Sequence, residues 1–237
     1  MKILITGGSR GIGRSCVERF AADGHAICFF YRQNEEAAAA LSASTGALAV
    51  RVDVGDSDGV REAVALAAEA LGGIDVLINN AGLSQIKLFT DLTDSDWQTL
   101  MNTNLTGAFY VTRAAASYMI SAHRGRIINI GSMWGKVGAS CEAHYSASKA
   151  GLLGMTMALA KELGPSGITV NCIEPGVIAT EMNASLDEET LAALCEETPL
   201  CRMGTPEEVA ALAAFLSSEE AGFITGQCIG IDGGFAI

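Results

Sequence analysis

Apolar residues in this chain come in short unbroken runs, and between the runs they recur at helical spacing. The runs at 2–6 (KILIT), 25–31 (HAICFFY), 48–54, 75–79 (DVLIN), 126–130 (RIINI), 169–173 (TVNCI) and 228–231 read as strands that are apolar on both faces. Strands of that kind belong to a sheet covered on two sides, because a half-exposed strand would alternate polar and apolar positions. The segments 11–22, 35–44, 57–71, 144–163, 187–196 and 205–216 carry the helical pattern. Thr93 and Asp96 have the spacing of a capping box and predict a long helix that opens near Trp97 and runs to about 120. Repeated strand–helix alternation implies parallel strands joined by right-handed crossovers. The fold expected is α/β: a single-domain, Rossmann-type, doubly wound parallel sheet with helices on both faces, spanning 1–237 without a linker or repeat. The least regular stretch, 180–205, is acidic and reads either as a lid over a substrate or as a helical insertion covering the sheet edge.

Composition narrows the function classes. With 49% hydrophobic and 18% charged residues there is ample material for one large core. A net charge of −12 argues against nucleic acid and anionic membranes as partners. The seven cysteines show no C-x-x-C spacing, so neither a zinc site nor a redox pair is signalled, and no metal is expected. With no leader-like segment and no apolar run long enough to span a bilayer, the expectation is a cytoplasmic protein in a reducing compartment.

The first run leads directly into TGGSRGIG at 6–13, where Gly7, Gly11 and Gly13 stand between a strand and a helix. Glycine is needed where the chain turns sharply and where backbone must approach a pyrophosphate, and the helix start adds free N–H groups and a positive dipole end. Dinucleotide binding follows from that context. At the end of the second strand an NAD-binding chain usually places an acid for the ribose hydroxyls. Here the residues are Tyr31, Arg32 and Gln33, so Arg32 and Arg10 are placed to meet a 2′-phosphate, and NADPH/NADP+ is the expected cofactor.

These motifs, taken with NNAG (79–82), NTNLTG (102–107), IGS (130–132), YSASK (145–149), NCIEPG (171–176) and IDGG (231–234), resemble the short-chain dehydrogenase/reductase family over essentially the full length. The resemblance implies a catalytic group of Asn104, Ser132, Tyr145 and Lys149. It implies cofactor contacts from Gly7, Ser9, Arg10, Gly11, Ile12, Gly13 and Arg32, and around the adenine from Asp53 and Val54. Further contacts would come from Asn80, Ala81 and Gly82, from Tyr145 and Lys149, and, at the nicotinamide end, from Pro175, Gly176, Val177, Ile178 and Thr180. It also implies a homotetramer built through the helices near 93–120 and 144–163.

Tyr145 and Lys149 are four residues apart and share a helix face. An ammonium beside a phenol, with a positive nicotinamide nearby, is expected to lower the phenol toward neutrality, so that it exchanges a proton with a carbonyl or alcohol. Ser132, at a strand end, can steady the substrate oxygen. Asn104 would hold a water that links Lys149 to solvent. Met133, Trp134, Cys141, Glu142 and His144 remain as the expected substrate wall. A rival reading makes Cys141 and His144 a nucleophile–base pair, but no oxyanion-hole motif accompanies them.

The overall look is similar to bacterial 3-oxoacyl-acyl-carrier-protein reductases. Those enzymes dock their carrier through arginines, where this chain has Ser166 and, with a shift, Arg124. The segment SMWGKVGASCEAHYS is also similar to the elongation factor P 5-aminopentanone reductases, in which an acidic mouth with Glu142 would suit an aminated substrate. The expected reaction is therefore NADPH-dependent reduction of a small-molecule or protein-tethered ketone to a secondary alcohol. The alternatives are the elongation factor P modification and, in another class, a non-catalytic dinucleotide-binding regulator.

Overall fold

The computed structural model describes residues 1–183 and 187–236. Seven parallel strands form one sheet: β1 (Lys2–Thr6), β2 (Ala26–Tyr31), β3 (Leu48–Arg51), β4 (Val76–Asn79), β5 (Gly125–Ile130), β6 (Ile168–Pro175) and β7 (Cys228–Ile231). Their order across the sheet is β3-β2-β1-β4-β5-β6-β7. The order reverses between β1 and β4, whose register pairs Ile3 with Val76 and Ile5 with Ile78. A crevice opens beyond the carboxyl ends of strands at such a reversal, and ligands of this fold bind there.

The unbroken apolar runs have a direct structural cause. Alternate strand residues face opposite sides. Ile3, Ile5, Ile78, Ile128 and Ile173 pack with α1 (Gly11–Ala22), α2 (Glu35–Thr45) and α9 (Pro206–Ser217) through Cys16, Val17, Phe20, Leu41 and Val209. Leu4, Leu77, Ile127 and Val170 face the other way, toward α3 (Ser57–Leu71), α5 (Gly107–Ala122) and α7 (Ala143–Leu163), through Val64, Val111, Met119 and Leu163. Both faces of the central strands are dry, so both of their parities are apolar, while the edge strands β3 and β7 are partly exposed.

The helix expected from Thr93 does open with a capping box, but it is not continuous. α4 (Asp94–Met101) gives way to a π turn at Asn102–Thr106 before α5 begins. The wider turn directs Asn104 inward, where its side chain is buried and bonded to the loop after β4. The third strand stops at Arg51 rather than at 54, because Asp53 turns back and accepts the Gly55 N–H at 2.9 Å. A four-residue helix, α6 (Trp134–Val137), follows β5 where the sequence pattern gave no signal. The 180–205 stretch contains α8 (Glu188–Glu197), while residues 184–186 of the expected lid lie outside the described residues. Among the described residues no helix is long and apolar enough to cross a membrane, and no cluster of potential metal ligands occurs.

Candidate active site

The glycine loop leaves β1 at the sheet reversal. Gly7 has φ +65° and Gly11 φ +51°, a region that side-chain-bearing residues rarely occupy. Gly13 has a different reason to be glycine: a Cβ there would lie 2.2 Å from the Gly7 carbonyl oxygen. The loop is tied to the next strand by Asn80, whose Nδ2 donates to the carbonyls of Thr6 and Gly7 at 3.0 Å each. The Thr6 hydroxyl accepts the N–H groups of Asn80 and Ala81 at 2.9 Å. Thr180 approaches from the far side, its Cγ2 standing 3.4 Å from where a Gly11 Cβ would be. Ser9 and Ile178 are buried and Ile12 half-buried around this cradle, and the Ile178 segment bridges to Gly204. A cavity of about 660 Å³ lies between Gly11, Arg14 and Thr180.

At the adenosine end, Arg32 Nε meets Asp53 Oδ2 at 3.1 Å, with both side chains about half exposed. The two residues, expected from the sequence to have separate tasks, pair with each other. An exposed pair of this kind is worth about 0–1 kcal/mol, so an arriving phosphate can take over the guanidinium. Arg51, whose Nε donates to the Arg32 carbonyl at 3.2 Å, adds a cation that sequence reasoning passed over. Arg10 is exposed and makes no side-chain bond among the described residues. Val54 is buried beside Gly107.

The four residues expected to do chemistry converge at the carboxyl ends of β4 and β5. Lys149 is buried; its Nζ donates to the Ile130 carbonyl at 2.8 Å and stands 5.7 Å from the centre of the Tyr145 ring. A Cβ on Gly82 would lie 3.5 Å from Asn104 Oδ1 and 3.6 Å from Lys149 Nζ, which places Gly82, Asn104 and Lys149 around one point. Asn104 Oδ1 accepts the Leu83 N–H at 2.8 Å, and its Nδ2 donates to the Leu83 carbonyl and to Ser148 Oγ. Ser132 Oγ accepts the Trp134 N–H at 3.2 Å, leaving its own proton for another acceptor. Pro175 is buried and accepts the Met133 N–H at 3.0 Å, and Gly176 is pressed against Asp232, so the two walls of the crevice are joined.

The electrostatics differ from the expectation in one respect. Burial pushes the Tyr145 phenol up to about 12; the Glu142 carboxylate adds to the rise and the Ser132 hydroxyl opposes it. Burial also draws Lys149 down to about 8. Desolvation is the largest influence on both groups. The phenol keeps its proton at neutral pH, which is the form needed to give one away.

The wall residues separate into two groups. Met133 and His144 are enclosed in the interior, at 1% and 0% exposure, and cannot touch a substrate in this state. Trp134, Cys141 and Glu142 are partly exposed, and burial raises the Glu142 carboxyl. Trp134 meets Phe235 edge-on at 5.3 Å, and Lys136 Nζ donates to the Ala236 carbonyl at 2.7 Å, so the end of the described chain backs the helix after Ser132. Cys141 and His144 form no dyad. Cys141 lies before α7 with φ +63°, while His144 Nε2 is bonded to Gln85 at 3.0 Å and its Nδ1 has no partner among the described residues. Gln85 carried no sequence signal, standing in a loop without motif. Arg124 is paired with Asp75 at 3.0 Å at the amino ends of β4 and β5, opposite this site, and so does not replace the missing docking arginine on this chain's own mouth.

Comparison with known proteins gives a consistent set of relatives. The family model described as enoyl-(acyl carrier protein) reductase matches residues 7–236. The chain is 43% identical over 232 residues to the acetoacetyl-CoA reductase of Shinella zoogloeoides, covering 98% of this chain and 96% of that one. It is 40% identical over 235 residues to the 3-oxoacyl-acyl-carrier-protein reductase of Mycobacterium tuberculosis, covering 99% and 92% respectively. Among solved structures, a double mutant of a Serratia marcescens short-chain dehydrogenase/reductase superposes with a TM-score of 0.93 at 35% identity, covering 99% of this chain and 97% of that one.

Proposed function

The chain belongs to the short-chain dehydrogenase/reductase family, and on that premise we propose that it reduces the ketone of a 3-oxoacyl thioester to the secondary alcohol with NADPH. The enzyme is an oxidoreductase acting on carbonyl and hydroxyl groups. The observation that carries the reading is the convergence of Asn104, Ser132, Tyr145 and Lys149 at the crevice where the glycine cradle ends, with Tyr145 buried and Lys149 Nζ 5.7 Å from its ring. Relatives named for 3-oxoacyl and acetoacetyl thioesters supply the substrate class.

The cradle suits a dinucleotide, since the positive φ of Gly7 and Gly11 turns the chain sharply between β1 and α1 and those two residues present bare backbone there. Gly7 through Gly13 would hold the pyrophosphate, Asp53 and Val54 the adenine, Arg32 with Arg10 the 2′-phosphate, and Thr180 with Pro175–Ile178 the nicotinamide end. A reduced nicotinamide supplies the hydride. The protein's own part is proton and charge handling. Ser132 Oγ donates to the carbonyl oxygen, Tyr145 Oη gives that oxygen its proton, and Lys149, linked to solvent through a water that Asn104 would hold, returns a proton to the phenol. The whole chain acts as one dinucleotide-binding and catalytic domain in the cytoplasm. A homotetramer is supported by Phe109, Tyr118 and Ile120 on α5 and Met157 on α7, apolar side chains about two-fifths or more exposed.

A second substrate is favoured by one observation: the Glu142 charge acts on Tyr145, so a carboxylate stands at the mouth. A cationic ketone, such as the 5-aminopentanone group on elongation factor P, would be drawn to it. The deciding experiment follows NADPH oxidation with a 3-oxoacyl thioester and with aminopentanone-modified elongation factor P in parallel. Steady turnover of the thioester with little of the modified factor is expected. The reverse ranking moves the assignment to the cationic ketone, and NADPH binding without oxidation by either leaves a dinucleotide-binding regulator.

A further inference from the structure

α7 carries Tyr145 in its first turn, yet that turn has no side-chain cap: Glu142 at the N-cap position bonds none of the free N–H groups. An uncapped helix start frays unless something else holds it. The neighbouring His144 is wholly buried. Its Nε2 reaches Gln85 Oε1 at 3.0 Å, and the Gln85 amide in turn donates Nε2–H to Asp96 Oδ1 at 3.0 Å. Because Gln85 Oε1 can only accept, His144 Nε2 must carry the proton. Asp96 also accepts from Lys87 Nζ at 2.7 Å and from the Thr93 N–H and hydroxyl at 2.9 and 2.6 Å. Those bonds hold its carboxyl well below the usual range. The Lys87 N–H donates to the Cys141 carbonyl at 2.8 Å. Every hydrogen bond in the chain His144–Gln85–Asp96 therefore points toward one fixed carboxylate, and the chain joins the loop after β4, the start of α4 and the first turn of α7.

We propose that Gln85 is a positioning residue for Tyr145: by coupling His144 to the Asp96 carboxylate it replaces the missing cap and fixes the turn from which the phenol reaches the substrate oxygen. The role rests on the ketone-reductase reading of the site. Among the described residues the Gln85 side chain bonds His144 and Asp96, neither of them in the glycine cradle, so its loss should leave cofactor binding unchanged. Displacing a reacting group by a fraction of an ångström to 1 Å slows turnover by about ten- to a hundredfold.

The test is Gln85→Leu, of similar size and unable to bond either neighbour, with Lys87→Met as a second variant that leaves the His144–Gln85–Asp96 chain in place. Steady-state kinetics, NADPH binding by fluorescence, thermal unfolding and peptide-level hydrogen exchange over 143–149 are measured on the full chain. For Gln85→Leu the expected result is kcat lower by about tenfold or more, unchanged NADPH affinity and faster exchange confined to the first turn of α7. Lys87→Met should lose much less kcat. Undiminished kcat in Gln85→Leu overturns the proposal, and so does a kcat loss with exchange at 143–149 unaltered. If the wild-type protein itself reduces no ketone, the reading of the site fails, and hydrogen exchange alone decides whether Gln85 holds the turn.

Discussion

Lys149→Met should stabilise the cofactor-free protein at neutral pH while abolishing turnover. Burial lowers the Lys149 ammonium from the ordinary 10.5 to about 8. At about 1.4 kcal/mol for each tenfold change, the native state carries a charge there at a cost of about 3 kcal/mol. The variant also loses the bond from Nζ to the Ile130 carbonyl, and a buried acceptor left bare costs about 1–3 kcal/mol. The net gain at pH 7 is thus about 0–2 kcal/mol, too variable to be decisive alone. Its pH dependence is decisive. The cost is fully present below pH 8, where folded and unfolded chains both hold the proton. It disappears as pH rises through 8 toward 10.5, where only the unfolded chain stays charged, so wild type gains stability with pH across that window. Tyr145 works in the opposite sense: held up at about 12, it removes stability as pH rises above 10, but in both proteins, so it cancels in the difference. Urea unfolding at fixed protein concentration, repeated from pH 7 to 10, should show wild type gaining about 2–3 kcal/mol on the variant. A difference that stays flat over that range refutes the claim that Lys149 is desolvated and charged in the native state.

Tyr145→Phe should lower kcat by about a hundredfold to ten-thousandfold with NADPH binding nearly intact, and retained turnover removes the proton-donor assignment. Arg32→Ala should weaken NADPH by about ten- to a hundredfold, the worth of a charged hydrogen bond or two, and leave NADH almost unchanged in a fluorescence titration; equal losses for both would dismiss the phosphate contact. Gly13→Ala puts a Cβ 2.2 Å from the Gly7 carbonyl and 2.5 Å from Asn80 Nδ2, so dinucleotide binding should be lost, and an alanine variant that still binds NADPH tightly contradicts the cradle geometry.

The central strands were legible because β1, β4, β5 and β6 are buried on both faces, which leaves unbroken apolar runs. The glycine loop and the Tyr145–Lys149 spacing were legible because their chemistry depends on local sequence distance. What sequence did not reveal depends on distance through space. The break at Asn102–Thr106 arises because Asn104 bonds Leu83 across the site, and no helical period records that. Gln85 and Arg51 acquire meaning only from what the fold sets beside them. Met133 and His144 looked like wall residues because they flank reactive groups in sequence, but the chain turns both inward. The effect of burial on Tyr145 was not legible for a related reason: residue spacing reports the nearby cation and says nothing about how much water has been excluded.

The strand order also governs when the molecule becomes complete. β1 pairs with β2, which follows it closely, but its other neighbour is β4, and the partner of Ile3 is Val76. Non-local pairings of this kind form late and slowly. As the chain leaves the ribosome, the glycine loop can have its turn and its helix while the strand beside it is still unmade. Asn80, which ties the loop down, arrives only then. The dinucleotide crevice is accordingly assembled from two instalments of the chain, and a nascent protein halted before β4 would possess the motif without the site.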